Sequence, residues 1–173
     1  MKNAIVTGAS NGIGLEISKK LSENNYYVGM IDIDRENLHK ESENISNSVA
    51  IEGDVTNQDS IKNALDTFSK TPDLIVNNAG IVIFGGLEEQ SIEDFKKSVD
   101  VSLIGSYLVS RLAIDSMIKK GSGCIINMSS INGVHPGPGT GGYPPAKAGI
   151  VSLTQQMSIE WGPYGIRTNS IAP

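Results

Sequence analysis

The sequence predicts an α/β fold, a doubly wound parallel sheet covered by helices on both faces. Three observations carry that prediction. Short apolar runs alternate with helical patterns from one end of the 173-residue chain to the other. Those runs lack the polar interleaving of a half-exposed strand, so they read as strands buried on both faces. The first of them, Ala4-Ile5-Val6, passes through a glycine-rich turn, Thr7 to Gly14, directly into an amphipathic stretch, Leu15 to Leu21. Right-handed crossovers in such a sheet put ligand sites at the carboxyl ends of the strands.

Taken in order, the pattern predicts strands near 3–7, 27–32, 48–52, 73–77, 123–129 and 166–171, and helices near 12–24, 35–45, 58–70, 91–119 and 144–162. No linker and no internal repeat is visible, so residues 1–173 read as a single domain. Two stretches break the alternation. Gly80 to Ser91 contains Phe84, Gly85, Gly86 and Leu87, and Ile131 to Gly142 is dense in glycine and proline. Both lie on the ligand side of the sheet, where long loops line sites.

The first turn has the order that a phosphate-bearing ligand requires, because backbone N–H groups at a strand-to-helix junction can approach the phosphates. Gly8 turns the chain off the strand, Gly12 removes a Cβ that would block a pyrophosphate, and Gly14 allows close packing of the helix. Asp32 ends the second strand 18 residues after Gly14, the spacing at which a carboxylate meets an adenosine ribose. A carboxylate there accepts from both ribose hydroxyls and repels a 2′-phosphate, which selects NAD over NADP. Neither Ile33 nor Asn11 offers a cation to the 2′ side, and Arg35 is the one residue able to reverse the preference. Gly53-Asp54-Val55 closes the third strand, where a carboxylate can meet the exocyclic amine of adenine. Asn77-Asn78-Ala79-Gly80 closes the fourth with small residues that let the backbone lie close to a nucleotide.

Ser130, Tyr143 and Lys147 form the reactive group. Tyr143 and Lys147 are four residues apart, so on a helix they share one face. An ammonium near a phenol favours phenolate, as a general base requires. Ser130, 13 residues before Tyr143, can hydrogen-bond the same substrate oxygen from a strand end. A Tyr-x-x-x-Lys pair alone is common on helix surfaces. Following a dinucleotide turn, an acidic strand end and a serine, it is not an isolated pair.

These motifs, together with Ile166-Arg167-Thr168-Asn169-Ser170-Ile171-Ala172-Pro173, resemble the short-chain dehydrogenase/reductase family over nearly the whole chain. The resemblance implies a Rossmann-type fold and hydride transfer between NAD(H) and a secondary alcohol or ketone. It implies Tyr143 as acid/base, Ser130 orienting the substrate oxygen, and Lys147 also holding the nicotinamide ribose. Carried over by position, it implies cofactor contacts at Gly8, Ser10, Asn11, Gly12, Ile13, Gly14, Asp32, Ile33, Asp54, Val55, Asn78, Ala79, Gly80, Tyr143, Lys147 and Pro173. A homodimer or homotetramer paired through the helices near 91–119 and 144–162 is implied in the same way.

The chain departs from the family pattern at three places. Ser102 stands where the family has the asparagine of its proton relay, and is taken as the fourth catalytic residue. Pro144-Pro145 follow Tyr143, which puts Tyr143 at or just before the helix start. The sequence stops at Pro173, before the family's nicotinamide loop, substrate-covering segment and last strand. Six strands are therefore expected in this sequence, and, if Pro173 is the natural end, an unprotected edge, a wet site and weak cofactor binding; the sequence alone does not decide whether it is.

Composition narrows the rest. A net charge of −5 argues against a nucleic-acid surface, and no apolar run reaches the roughly 20 residues of a bilayer span. A strand beginning at residue 3 leaves no room for a signal peptide, so a cytoplasmic protein is expected. Cys124 reads as core filler, His39 as solvated and His135 as a loop residue that faces solvent or shapes the substrate mouth; the sequence supports no metal set. Two alternatives stay open: an NADPH-linked ketone reductase of ketoacyl type, and a nucleotide-binding protein without turnover. The substrate, the direction of reaction and the oligomeric state are not readable.

Overall fold

Every predicted apolar run is a strand in the computed structural model, which describes residues 1–173. The strands are β1 (Lys2–Thr7), β2 (Tyr26–Asp32), β3 (Ser48–Glu52), β4 (Leu74–Asn77), β5 (Gly123–Met128) and β6 (Ile166–Ile171). All pair in parallel, in the order β3-β2-β1-β4-β5-β6. The order reverses between β1 and β4, so the loops leaving these two strands diverge and open a crevice at the carboxyl edge. β6 pairs only with β5 and forms one edge of the sheet.

The two-residue period of a strand divides the core. Ala4, Val6, Val28 and Met30 face one side, where Leu38 packs, while Ile5, Ile31, Ile75 and Ile125 face the other against Ile61, Phe68, Val109 and Met117. The helices that cover the sheet are α1 (Gly12–Glu23), α2 (Arg35–Ser42), α3 (Gln58–Phe68), α4 (Ile92–Val99), α5 (Gly105–Lys120) and α6 (Tyr143–Trp161). Three have side-chain N-caps: Asp34 Oδ1 accepts from Asn37 N–H, Asn57 Oδ1 from Ser60 N–H, and Ser91 Oγ from Asp94 N–H.

The helix predicted near 91–119 is not uniform. A π-helical turn, Asp100–Ile104, joins α4 to α5. Ser98, Ser102, Ser106 and Ser110 recur every fourth residue and are all buried. The hydroxyls of Ser98, Ser106 and Ser110 each donate to the carbonyl four residues earlier. Such back-bonding bends helices. Ser102, inside the wide turn, makes no such bond. Over its full length, Ile92–Lys120 is long and apolar enough on average to cross a bilayer, although no single apolar run is. Its apolar face, with Val109, Ala113, Ile114 and Met117, lies in the core of the sheet.

Two buried asparagines join the sheet to the helices that carry the site. Asn77 Nδ2 donates to Ser110 Oγ and to Asn127 Oδ1, both at 2.8 Å. Asn127 Nδ2 donates in turn to Thr154 Oγ1 at 2.9 Å. One amide pair thus links β4, β5, α5 and α6. Asn127→Ala removes the middle of this chain and leaves the Asn77 amide with an unsatisfied N–H. It is expected to lower stability by about 2–3 kcal/mol, read as a reduced urea midpoint at constant m. An unchanged midpoint would mean that the network adds nothing to stability.

Candidate active site

The carboxyl edge of the sheet carries two adjoining cavities. The larger, of about 850 Å³, lies over β1, β2 and β3 and is lined by Gly8, Ser10, Asn11, Ile13, Asp32, Ile33, Asp54, Val55, Asn78, Ala79 and Gly80 among others. The smaller, of about 250 Å³, is lined by Ile13, Asn78, Gly80, Ile81, Val82, Met128, Ser129, Ser130, Tyr143, Lys147 and Pro173. Ile13, Asn78, Gly80 and Ile81 belong to both, so the cavities meet at the strand-order reversal.

The wall between them is built by the first turn seated on the end of β4. Thr7 Oγ1 accepts from the N–H groups of Asn78 and Ala79, both at 3.1 Å. Asn78 Nδ2 donates to the carbonyls of Thr7 and Gly8, both at 3.0 Å. Gly8 has φ +64, and a Cβ there would stand 2.9 Å from Ala79 Cα. A Cβ on Gly14 would lie 2.0 Å from the Gly8 carbonyl oxygen. Gly14 therefore serves the turn and the β4 end, where close packing on the sheet was expected. Gly12 has open space around it, leaving the turn clear for a phosphate.

Asp32 stands at the end of β2 and lines the larger cavity. Its Oδ2 accepts from Ser10 N–H at 2.9 Å and its Oδ1 from Asp34 N–H at 3.0 Å, which fixes the carboxylate at the cleft. Each oxygen keeps a lone pair for a ribose hydroxyl. Asn37 Nδ2 donates to Ser10 O at 2.6 Å and holds the turn from α2. Arg35 points to Glu52, 3.9 Å away at the end of β3, in an exposed pair worth little. Asp54 Oδ1 accepts from the N–H and Oγ1 of Thr56 at 2.8 and 2.7 Å, leaving Oδ2 without an intramolecular partner. The cleft volume, the clear turn and the fixed carboxylate suit the adenosine half of a dinucleotide.

In the smaller cavity, Tyr143 is the first residue of α6, with Pro144 and Pro145 in the first turn as expected. Proline costs nothing there, because first-turn N–H groups have no helical acceptor. Lys147, one turn later, is 4% exposed. Its Nζ donates to Met128 O at 2.6 Å and stands 5.6 Å from the centroid of the Tyr143 ring. Burial pushes its pKa down to about 8. Ser130, at the end of β5, accepts from Asn132 N–H at 3.3 Å, and the Pro173 carbonyl accepts from Ile131 N–H at 3.0 Å.

Ser102 is the exception to the expected set. It lines neither cavity and is fully buried in the π turn, with its Oγ unpartnered. The reason is Gly80, whose missing Cβ would stand 3.2 Å from Lys147 Nζ and 3.4 Å from Ser102 Oγ. Ser102 lies behind this residue, and its carbonyl is taken by Ser106 Oγ at 2.7 Å. Sequence reading missed Thr7, Asn37 and the Met128 carbonyl. Only Thr7 had a sequence signal, a hydroxyl at the strand end beside the first glycine; a backbone acceptor has none. His135 is exposed and lines neither cavity.

Comparison with known proteins agrees with this geometry. The family described as short chain dehydrogenase matches residues 2–173. An uncharacterized oxidoreductase of Thermotoga maritima is 36% identical over 99% of this chain and 70% of its own length. An NAD-dependent glycerol dehydrogenase of Listeria innocua is 33% identical over 99% of this chain and 69% of its own. A 3-oxoacyl-(acyl-carrier-protein) reductase of Chlamydia muridarum is 36% identical over 99% of this chain and 73% of its own.

The buried lysine gives a measurable pH dependence. Between its folded pKa of about 8 and its ordinary 10.5, the unfolded chain keeps the Lys147 proton and the folded chain releases it. Stability therefore rises with pH across this window, by up to about 3 kcal/mol. Lys147→Met should abolish that increment, so the wild-type-minus-variant difference in urea stability should change between about pH 7.5 and about pH 10. A constant difference would refute the assignment.

Proposed function

The chain belongs to the short-chain dehydrogenase/reductase family of oxidoreductases, and from that premise we propose that it transfers hydride between NAD(H) and a secondary alcohol or its ketone. The observation that carries the reading is that Ser130, Tyr143 and Lys147 line one cavity, which adjoins the cleft holding Asp32. A bound nicotinamide supplies the hydride acceptor or donor. Tyr143 exchanges a proton with the substrate oxygen, and Ser130 orients that oxygen. Lys147, held on the Met128 carbonyl beside the Tyr143 ring, stabilises the phenolate as long as its ammonium stays charged. The low-lying lysine pKa of about 8 makes this support strongest below that pH.

Carboxylates support NAD over NADP. Asp32, Asp34 and Asp54 line the cleft, and Glu52 lies beside Asp32 in the strand register. A 2′-phosphate brought to the Asp32 edge meets like charges; Arg35 beside that edge, and Lys96 and Lys97 elsewhere in the cleft lining, are the cations that could oppose them. The Listeria relative, an NAD-dependent glycerol dehydrogenase, supports the same choice. The second reading, an NADPH-linked ketone reductase, draws on the 3-oxoacyl reductase relative and on Arg35, whose weak exposed pair with Glu52 leaves it free to turn to a phosphate. For partners, a small alcohol or ketone fits the cavity. Exposed Ile104 in the π turn, Tyr107 on α5 and Ile159 on α6 support a homo-oligomer.

Two measurements test the proposal. Direct fluorescence titration should show NADH binding at least tenfold tighter than NADPH, a difference of about 1.4 kcal/mol; equal or tighter NADPH binding overturns the preference. Tyr143→Phe keeps the ring and deletes the proton-transfer group. It should lower kcat on a secondary alcohol by on the order of 10² to 10⁴ with NADH affinity nearly unchanged. A Phe variant with ordinary turnover would transfer the acid/base role to another group, with His135 the next to replace.

A further inference from the structure

We infer that Gln90 is a positioning residue, which fixes the start of α6, and with it Tyr143, against the loop that floors the substrate side of the cavity. The catalytic consequence rests on the reading of Tyr143 given above. Gln90 ends the Gly80–Ser91 loop and is half-buried. Its side-chain amide is used at both ends. Nε2 donates to Ile83 O at 2.7 Å, and Oε1 accepts from Gly142 N–H at 2.9 Å. The first bond anchors the loop beside Ile81 and Val82, which line the cavity. The second holds the residue immediately before Tyr143.

Helix α6 has no side-chain cap from its own N-cap residue, Gly142. One of the N–H groups at this end is instead satisfied by a residue 52 positions earlier. The surrounding packing leaves little freedom. A Cβ on Gly141 would stand 2.0 Å from Gln90 Oε1, and one on Gly142 would stand 2.9 Å from the Phe95 carbonyl oxygen. The segment before Tyr143 is thus held between the Gln90 amide and α4. The same two loops also meet where Gly85 N–H donates to Gly139 O at 3.0 Å. Only a residue carrying a donor and an acceptor on one planar group, at glutamine length, makes both side-chain bonds. Loss of the Gly142 bond frees the N-terminus of α6, and a proton-transfer group displaced by about 1 Å costs on the order of a hundredfold in rate.

The test uses the full chain with two substitutions. Gln90→Met keeps the volume and loses both bonds; Gln90→Glu keeps an acceptor for Gly142 N–H and replaces the donor to Ile83 O by a carboxylate oxygen that repels it. In Gln90→Met, hydrogen exchange at the Gly142 amide, followed by NMR, should accelerate at least about tenfold. Turnover should fall by on the order of tenfold to a hundredfold, with a larger solvent isotope effect on kcat. NADH affinity should stay within about twofold, since Gln90 does not line the cofactor cleft. Gln90→Glu should restore Gly142 protection and most of kcat. Ordinary Gly142 protection in Gln90→Met, or equal kcat in the Met and Glu variants, overturns the proposal, as does a parallel loss of NADH affinity. If the wild-type protein oxidises no secondary alcohol, the functional reading has failed, and Gly142 exchange still decides whether Gln90 holds this residue.

Discussion

Everything at the carboxyl edge depends on how the first turn sits on the end of β4. Gly8 and Ala79 approach so closely that a single Cβ on Gly8 would collide with the neighbouring backbone, and Gly14 closes on the Gly8 carbonyl in the same way. Thr7 and Gly8 then accept four hydrogen bonds from Asn78 and Ala79 across the contact. Because the strand order reverses at this point, the contact fixes the separation of the loops on either side. The larger cleft and the smaller cavity are its two flanks, and Asn78 lines both.

A second consequence of that contact is the position of Gly80. Having no side chain, it lets Lys147 of α6 and Ser102 of the adjoining π turn both approach the β4 end. Lys147 is then driven into a nearly water-free place with one carbonyl and one aromatic ring as company. Desolvation lowers its affinity for the proton. The cost of burying an ammonium and its proposed role beside Tyr143 are therefore one physical fact. The asparagine pair Asn77 and Asn127 supports this arrangement from below, because it joins both strands to both helices through buried amide bonds. Directional bonds between buried amides fix one geometry, as an apolar contact of the same size does not.

How much of this was legible varies with the kind of interaction. The strands were readable because a strand buried on both faces must be apolar throughout, and Ala4-Ile5-Val6 and Ile125-Ile126 are. The start of α6 was readable because Pro144 and Pro145 fit only a first turn. The cleft residues were readable because close approach of backbone demands glycine at Gly8 and Gly14. The π turn at Asp100–Ile104 was not, since nothing in the apolar period of 91–119 changes there; only the fourfold spacing of buried serines marks the helix as unusual. Ser102 was expected in the cavity and lies behind Gly80, a matter of helix rotation that one residue identity does not encode. The partners of Asp32 were half legible: a carboxylate at a strand end was evident, its use of the Ser10 and Asp34 amides was not.

By itself, then, the sequence determined the parallel sheet, the glycine turn, the acidic strand end and the one-faced pairing of Tyr143 with Lys147. Each follows from local rules of period, sterics and turn chemistry that act over a few residues. Only the tertiary structure decided which groups share a cavity, how deeply Lys147 is desolvated, and which side chains hold the reactive ones from a distance. Those outcomes arise between residues far apart in the chain, such as Thr7 with Asn78, Asn77 with Asn127, and Gln90 with Gly142. A hydrogen bond to a backbone group leaves no mark on the identity of the residue that accepts or donates it. Such contacts exist only once the sheet has brought the loops together.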